Sequence, residues 1–119
     1  MDKRFVRNWL RKHKYCVVAT SFKDNPWAAT VDYTCDDDLT LFISTDTDSV
    51  KFQNIVKNPV VSVVVDSQTK EGTLQIQGIA KPVNSDGGVK SRVAILPKFM
   101  IYRRLDDLGK IRMTMLNLI

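Results

Sequence analysis

Apolar positions recur at spacings of one, three and four through residues 3–14, where Phe5, Val6, Trp9 and Leu10 stand among Arg and Lys. That period predicts an amphipathic helix. It then shortens. "YCVVATS" (15–21) is apolar and β-branched and predicts a strand. Lys23-Asp24-Asn25-Pro26 has turn chemistry, and "WAATVDYTC" (27–35) predicts a second strand that closes a hairpin. Asp36-Asp37-Asp38 is a short acidic turn, which lacks the glycine and distal glutamate of a calcium loop. "LTLFIST" (39–45) alternates as a third strand. Asp48 or Ser49 can cap a helix running to about Lys57, which Asn58-Pro59 stops. "VVSVVVD" (60–66) and "TLQIQGIAKPV" (73–83) predict strands four and five on either side of a loop at Ser67 to Gly72. Asn84 to Gly88 resembles a linker too short to separate domains. Val89 to Leu96 predicts a short helix ended by Pro97, "KFMIYRRL" (98–105) a sixth strand, and Lys110 to Leu118 a further strand or edge segment.

The sum is one mainly β domain over residues 1–119, with six or seven strands and two or three helices. Short turns between consecutive strands favour an antiparallel barrel or curled sheet over a βαβ fold. Composition agrees: 44% hydrophobic and 26% charged residues in 119 suffice for one core. The longest apolar run, Pro59 to Val65 interrupted by Ser62, is too short to span a bilayer, and no apolar h-region follows the basic N-terminus. A cytoplasmic protein with no membrane partner is the expectation.

Charge adds little. The net charge is +5, and six of the eighteen Lys and Arg fall in the first fourteen positions. No nucleic-acid-binding motif accompanies them, so a solvated helix face is expected and no nucleic-acid partner. Cys16 and Cys35 form neither a zinc pattern nor a disulfide framework and read as buried or half-buried free thiols. The one histidine, His13, stands in a basic run and is expected in solvent. Neither a Ser/His/Asp arrangement nor a Cys–His pair, HExxH, P-loop or GxGxxG is present. No residue is assigned as catalytic or as a metal ligand. Any reaction would draw its reactive atoms from a cofactor.

One stretch does carry candidate chemistry. A strand ending in Ser44-Thr45, a turn, and a helix starting near Ser49 with Lys51 in its first turn bring hydroxyls, free N–H groups and a positive charge together. Such a site suits a phosphate, while plain capping by Asp48 or Ser49 explains the hydroxyls equally simply.

The order of motifs resembles the pyridoxamine-5′-phosphate-oxidase-like FMN-binding split barrels. The resemblance lies in Ala19-Thr20, Pro26, Ile43-Ser44-Thr45, Ser49-Val50-Lys51, Asn58-Pro59-Val60-Val61-Ser62-Val63 and Gly78-Ile79-Ala80, across about residues 5–83. It implies a Greek-key antiparallel split barrel and a homodimer with cofactor sites between subunits. It also implies FMN, its phosphate and ribityl chain held by Ser44, Thr45, Ser49 and Lys51, and its ring laid along Thr30, Val31, Asp32 and Tyr33. Trp9, Trp27, Phe99 and Tyr102 supply large aromatics suited to a core or to such an interface.

The chain also departs from the family pattern. Ala29 and Thr34 stand where an arginine and a lysine frame the second strand, and Val50 stands where an arginine precedes the helix lysine. The flavin-contacting glutamine falls at Thr73, with Gln75 on the same face two residues on. Each lost charge-assisted bond to phosphate is worth roughly 1.5–3 kcal/mol, so losing two weakens affinity about 10²- to 10⁴-fold. The resemblance therefore implies an FMN-dependent oxidoreductase or flavin reductase acting on a small molecule, and not a true pyridoxamine-phosphate oxidase. The alternative it leaves is a non-catalytic binder of haem, a deazaflavin or a phosphorylated metabolite.

Overall fold

A computed structural model of the chain describes residues 1–85 and 89–119; of the linker-like stretch 84–88, the last three residues lie outside the described ones. Among the described residues two helices, α1 (Lys3–Arg11) and α2 (Val50–Lys57), accompany eight strands. These are β1 (Tyr15–Phe22), β2 (Asn25–Asp32), β3 (Thr34–Cys35), β4 (Leu41–Asp46), β5 (Val60–Asp66), β6 (Thr73–Ser85), β7 (Lys90–Leu105) and β8 (Ile111–Asn117). They form one sheet in the order β2-β1-β5-β6-β7-β4-β3, with β8 on β7. Every pairing is antiparallel. The sheet curls until β2 meets β4, which gives the split-barrel shape.

The period of two sorts the sheet into faces. Val18, Val63, Ile76 and Met100 are partners in register across β1, β5, β6 and β7, and all four are buried. One residue along each strand lies the outer row Thr30, Val17, Val64, Gln75, Ile101 and Met115, in register across six strands. Helix α1 covers part of the barrel with Val6, Trp9 and Leu10, and Asp2 caps it by accepting from the Phe5 N–H at 2.8 Å. It ends at Arg11, earlier than the apolar period suggests.

Four expectations are corrected. The helix expected over 89–96 is absent, and residues 90–96 are strand: Ser91, Val93 and Ile95 turn inward while Lys90 and Arg92 turn out. The Val93-Ala94-Ile95 run hides this alternation, and Pro97 does not stop a helix. It sits beside a bulge, where its missing N–H is tolerated. The single strand expected over 27–35 breaks at Tyr33 into β2 and β3, which brings the count to eight. Its turn shrinks to Lys23 and Asp24, both at positive φ (51° and 64°), because Asn25 and Pro26 already pair with β1. His13 is half-buried and packed at a tilt of 47° against Trp9, with ring centroids 4.3 Å apart, rather than in solvent.

The helix stop at Asn58 has a structural cause beyond Pro59. The Asn58 side-chain amide donates to the Ser21 carbonyl at 3.1 Å, and its Oδ1 accepts from the Val60 N–H, so the residue ties α2 to β1 and starts β5. Asp36 accepts from the N–H groups of Asp38 and Thr40, both at 2.9 Å, which closes the acidic turn without a cation. Among the described residues no group of three His, Cys, Asp or Glu is placed to hold a metal. Among the same residues no helix is long and apolar enough to cross a membrane.

Candidate functional site

Tyr33 is the pivot of the seam. Its N–H still bonds to the Lys14 carbonyl at 2.9 Å, as the last rung of the β1–β2 pairing, while the next two residues leave β1 and pair with β4. The side chain turns inward and its hydroxyl donates to the Leu10 carbonyl at 2.6 Å, fixing the switch point to the end of α1. Burial raises the phenol pKa well above the ordinary tyrosine value.

Where one strand leaves its neighbour for another, a cleft opens. It has a volume of about 710 Å³, within the range of small-molecule and cofactor sites. Thr30, Val31, Asp32, Tyr33 and Thr34 form one wall, Phe42, Ile43, Ser44, Lys90 and Arg92 the other, and Tyr15 completes the lining. The second wall follows from the β4–β7 register, which pairs Ser44 with Arg92 and Asp46 with Lys90 on the outward face. Lys90 lies 3.2 Å from Asp46. The Arg92 guanidinium lies over the Phe42 ring, 4.1 Å from its centroid.

The residues singled out in the sequence divide. Thr30, Val31, Asp32, Tyr33 and Ser44 come together in this cleft. Thr45 points to the opposite face and is buried; its hydroxyl lies 2.9 Å from that of Ser49, which also accepts from the Phe52 N–H as the helix cap. Lys51 stands half-buried in the first turn of α2, outside the cleft lining. Gln75 is exposed on the outer sheet face, three strands from Thr30 along the outer row. The cations that do face the cleft, Lys90 and Arg92, were hidden by the helix expected over 89–96. The β-branched and apolar residues that follow them, Val93 and Ile95 two apart, are the weak signal for strand that the sequence offers there.

Neither cysteine suits nucleophilic chemistry. Burial, with the Asp32 carboxylate adding to it, pushes the Cys16 thiol up to about 12, and burial pushes Cys35 up to about 11. Because an unfolded thiol ionises near 9, the unfolded chain binds fewer protons than the folded one above that pH. The thiols' contribution to stability should therefore be unchanged below pH 9 and fall as pH rises beyond it. In the folded protein at pH 8.5, both thiols should resist iodoacetamide, and denaturant should make both react. Rapid alkylation of the native protein would contradict this assignment.

The sequence model of the family described as pyridoxamine 5′-phosphate oxidase matches residues 3–111. No curated protein matches the chain. Among solved structures, General Stress Protein 26 from Bacillus anthracis superposes with a TM-score of 0.80 at 19% identity, covering 98% of each chain. A FAD-binding protein from Mesorhizobium loti gives 0.72 at 14% identity, over 84% of this chain and 90% of that one. A heme binding protein from Mycobacterium smegmatis also gives 0.72 at 14% identity, over 94% of this chain and 57% of that one. With the family match over nearly its whole length and the split-barrel sheet in place, this chain belongs to the pyridoxamine 5′-phosphate oxidase family.

Proposed function

We propose that the chain binds FMN in the seam cleft and acts, as a homodimer, as an FMN-dependent oxidoreductase or flavin reductase on a small molecule. The observation that carries this is the convergence of Thr30, Val31, Asp32, Tyr33 and Ser44 on one cleft of cofactor size. The residues present fit the group: a strand wall for a planar ring, and hydroxyl and cationic side chains for a phosphate. When bound, FMN supplies the hydride chemistry that this chain's own side chains lack.

The protein's part is to bind and orient. Thr30 to Tyr33 offer an extended wall along which a ring can lie. Ser44 and Lys51 supply polar contacts to the phosphate end, and the Thr45–Ser49 hydroxyl pair holds the turn between them. Gln75 meets the ligand only if a second copy brings its cleft to the outer sheet face. That face supports a homodimer, because Tyr15, Val17, Met113 and Met115 expose apolar surface on it, and Tyr15 is continuous with the cleft. With the family's framing cations replaced by Ala29, Thr34 and Val50, vitamin B6 oxidation is not part of the proposal.

The purified protein should carry, or take up, flavin close to one per chain. Lys51→Ala should weaken FMN about 10-fold without shifting the unfolding temperature of the free protein. Unchanged affinity in Lys51→Ala would remove that residue from the site. The second reading, a non-catalytic binder of haem, a deazaflavin or a phosphorylated metabolite, draws support from the heme binding relative and from Lys51 lying outside the cleft lining. His13 packs against Trp9 away from that lining, which disfavours haem ligation in the cleft.

A further inference from the structure

Two cations face the seam cleft, and their surroundings differ. Lys90 has its ammonium 3.2 Å from the Asp46 carboxylate, so part of its charge is already answered. Arg92 has no carboxylate within ion-pair distance among the described residues. Its guanidinium carbon lies over the Phe42 ring, 4.1 Å from the centroid, with Ser44 as its cross-strand partner. The ring holds the guanidinium in place without using up its N–H donors, which no described carboxylate takes. A planar fork beside a hydroxyl matches two oxygens of a phosphate or similar oxyanion. On the opposite wall stands Asp32, whose carboxylate disfavours an anion there.

We propose that Arg92 is the anion-recognising residue of the cleft. It takes the terminal phosphate of the ligand bidentately with Ser44 beside it, and so directs the uncharged, hydrogen-bond-donating end of the ligand toward Asp32. The inference rests on the seam cleft being the ligand site. It adds an anchor for the phosphate on the β4–β7 ladder beyond those proposed at Ser44 and Lys51, and it restores a cation lost at Ala29, Thr34 and Val50. The selected ligand class is a planar ring compound carrying a phosphate monoester or diphosphate. Neutral ring compounds and ligands with anions at both ends are selected against. Because the cleft is open to water, the contact is sensitive to salt.

The test compares FMN with riboflavin, which has the same ring and no phosphate, and uses inorganic pyrophosphate as an anion probe. Arg92→Gln should weaken FMN about 10- to 100-fold and change riboflavin less than about twofold. Arg92→Lys should recover only part of the loss, because an ammonium lacks the planar fork. Lys70→Gln, an equal loss of charge on an exposed loop, should leave both affinities unchanged. If the wild-type chain takes up no flavin but pyrophosphate raises its unfolding temperature, and Arg92→Gln abolishes that rise, the FMN reading falls and the assignment of Arg92 stands. Three results overturn the assignment: equal FMN affinity in wild type and Arg92→Gln, equal loss of FMN and riboflavin, or a wild-type chain indifferent to FMN and pyrophosphate alike.

Discussion

Gly78→Ala is expected to destabilise the protein by about 3 kcal/mol or more and to lower the unfolding temperature by about 10 °C. Gly78 lies at the bulge in the β6–β7 ladder, where Gln77 pairs with Phe99 but Gly78 pairs with Pro97, leaving Lys98 without a partner on β6. A Cβ at position 78 would stand 2.5 Å from the Leu96 carbonyl oxygen and 3.1 Å from its carbon, both backbone atoms that cannot rotate away. Relief requires the two longest strands of the sheet to separate, and the β7–β8 pairing depends on β7. Gly109 is the natural control. It has positive φ (76°) but nothing within 4 Å of the added Cβ, so Gly109→Ala carries only the backbone cost of about 1 kcal/mol. Thermal unfolding followed by circular dichroism separates the two. Equal, small shifts would mean that the bulge relaxes freely and that close approach does not explain this glycine.

Ile101→Asp should convert a dimer into a monomer, with the mass in light scattering falling from about twice 13.6 kDa to 13.6 kDa. Ile101 sits in the outer row between Gln75 and Met115 and points away from the core side occupied by its neighbour Met100. The fold should therefore tolerate the change. In an interface with two-fold symmetry the carboxylate is introduced twice, and each copy is removed from water without a partner. That costs several kcal/mol, enough to shift the dissociation constant by more than about 100-fold. If the wild-type chain is monomeric, or if Ile101→Asp leaves a dimer intact, the outer face is not the contact between copies. Flavin affinity measured on the same variant would show whether the cleft needs the second subunit.

How legible the molecule is from its sequence varies along the chain with the strength of local signals. β1, β4, α2 and β5 stand close to where periodicity places them, because each has a clear start or stop. The Ser49 cap and the Asn58-Pro59 stop define α2, and burial alternates cleanly along β5. β7 is hidden because Ala94-Ile95-Leu96 blurs the period of two and Pro97 imitates a helix stop, whereas the strand is held by long-range pairing to both β4 and β6. Such pairing leaves no local trace. The break at Tyr33 is equally silent, since "TVDYTC" reads as continuous strand until the Leu10 carbonyl captures the tyrosine hydroxyl.

The same difference divides the candidate site. Thr30 to Tyr33 and Ser44 are close together because the strands that carry them meet at the seam, and the ordered motifs point to both stretches. Thr45 and Ser49 have the hydroxyls that a phosphate cup needs, but the geometry turns them toward each other and toward the helix backbone. Capping accounts for these two residues, in keeping with the simpler of the two interpretations their sequence allows. Lys90 and Arg92 belong to β7, whose local pattern imitates a helix, so their place in the cleft follows only from the β4–β7 register.

Whether the seam cleft holds FMN is read most directly from the absorbance spectrum of the purified chain after incubation with excess FMN and removal of free ligand. The protein should be yellow, with the flavin band near one equivalent per chain. A colourless protein that retains no FMN would contradict FMN binding in the cleft.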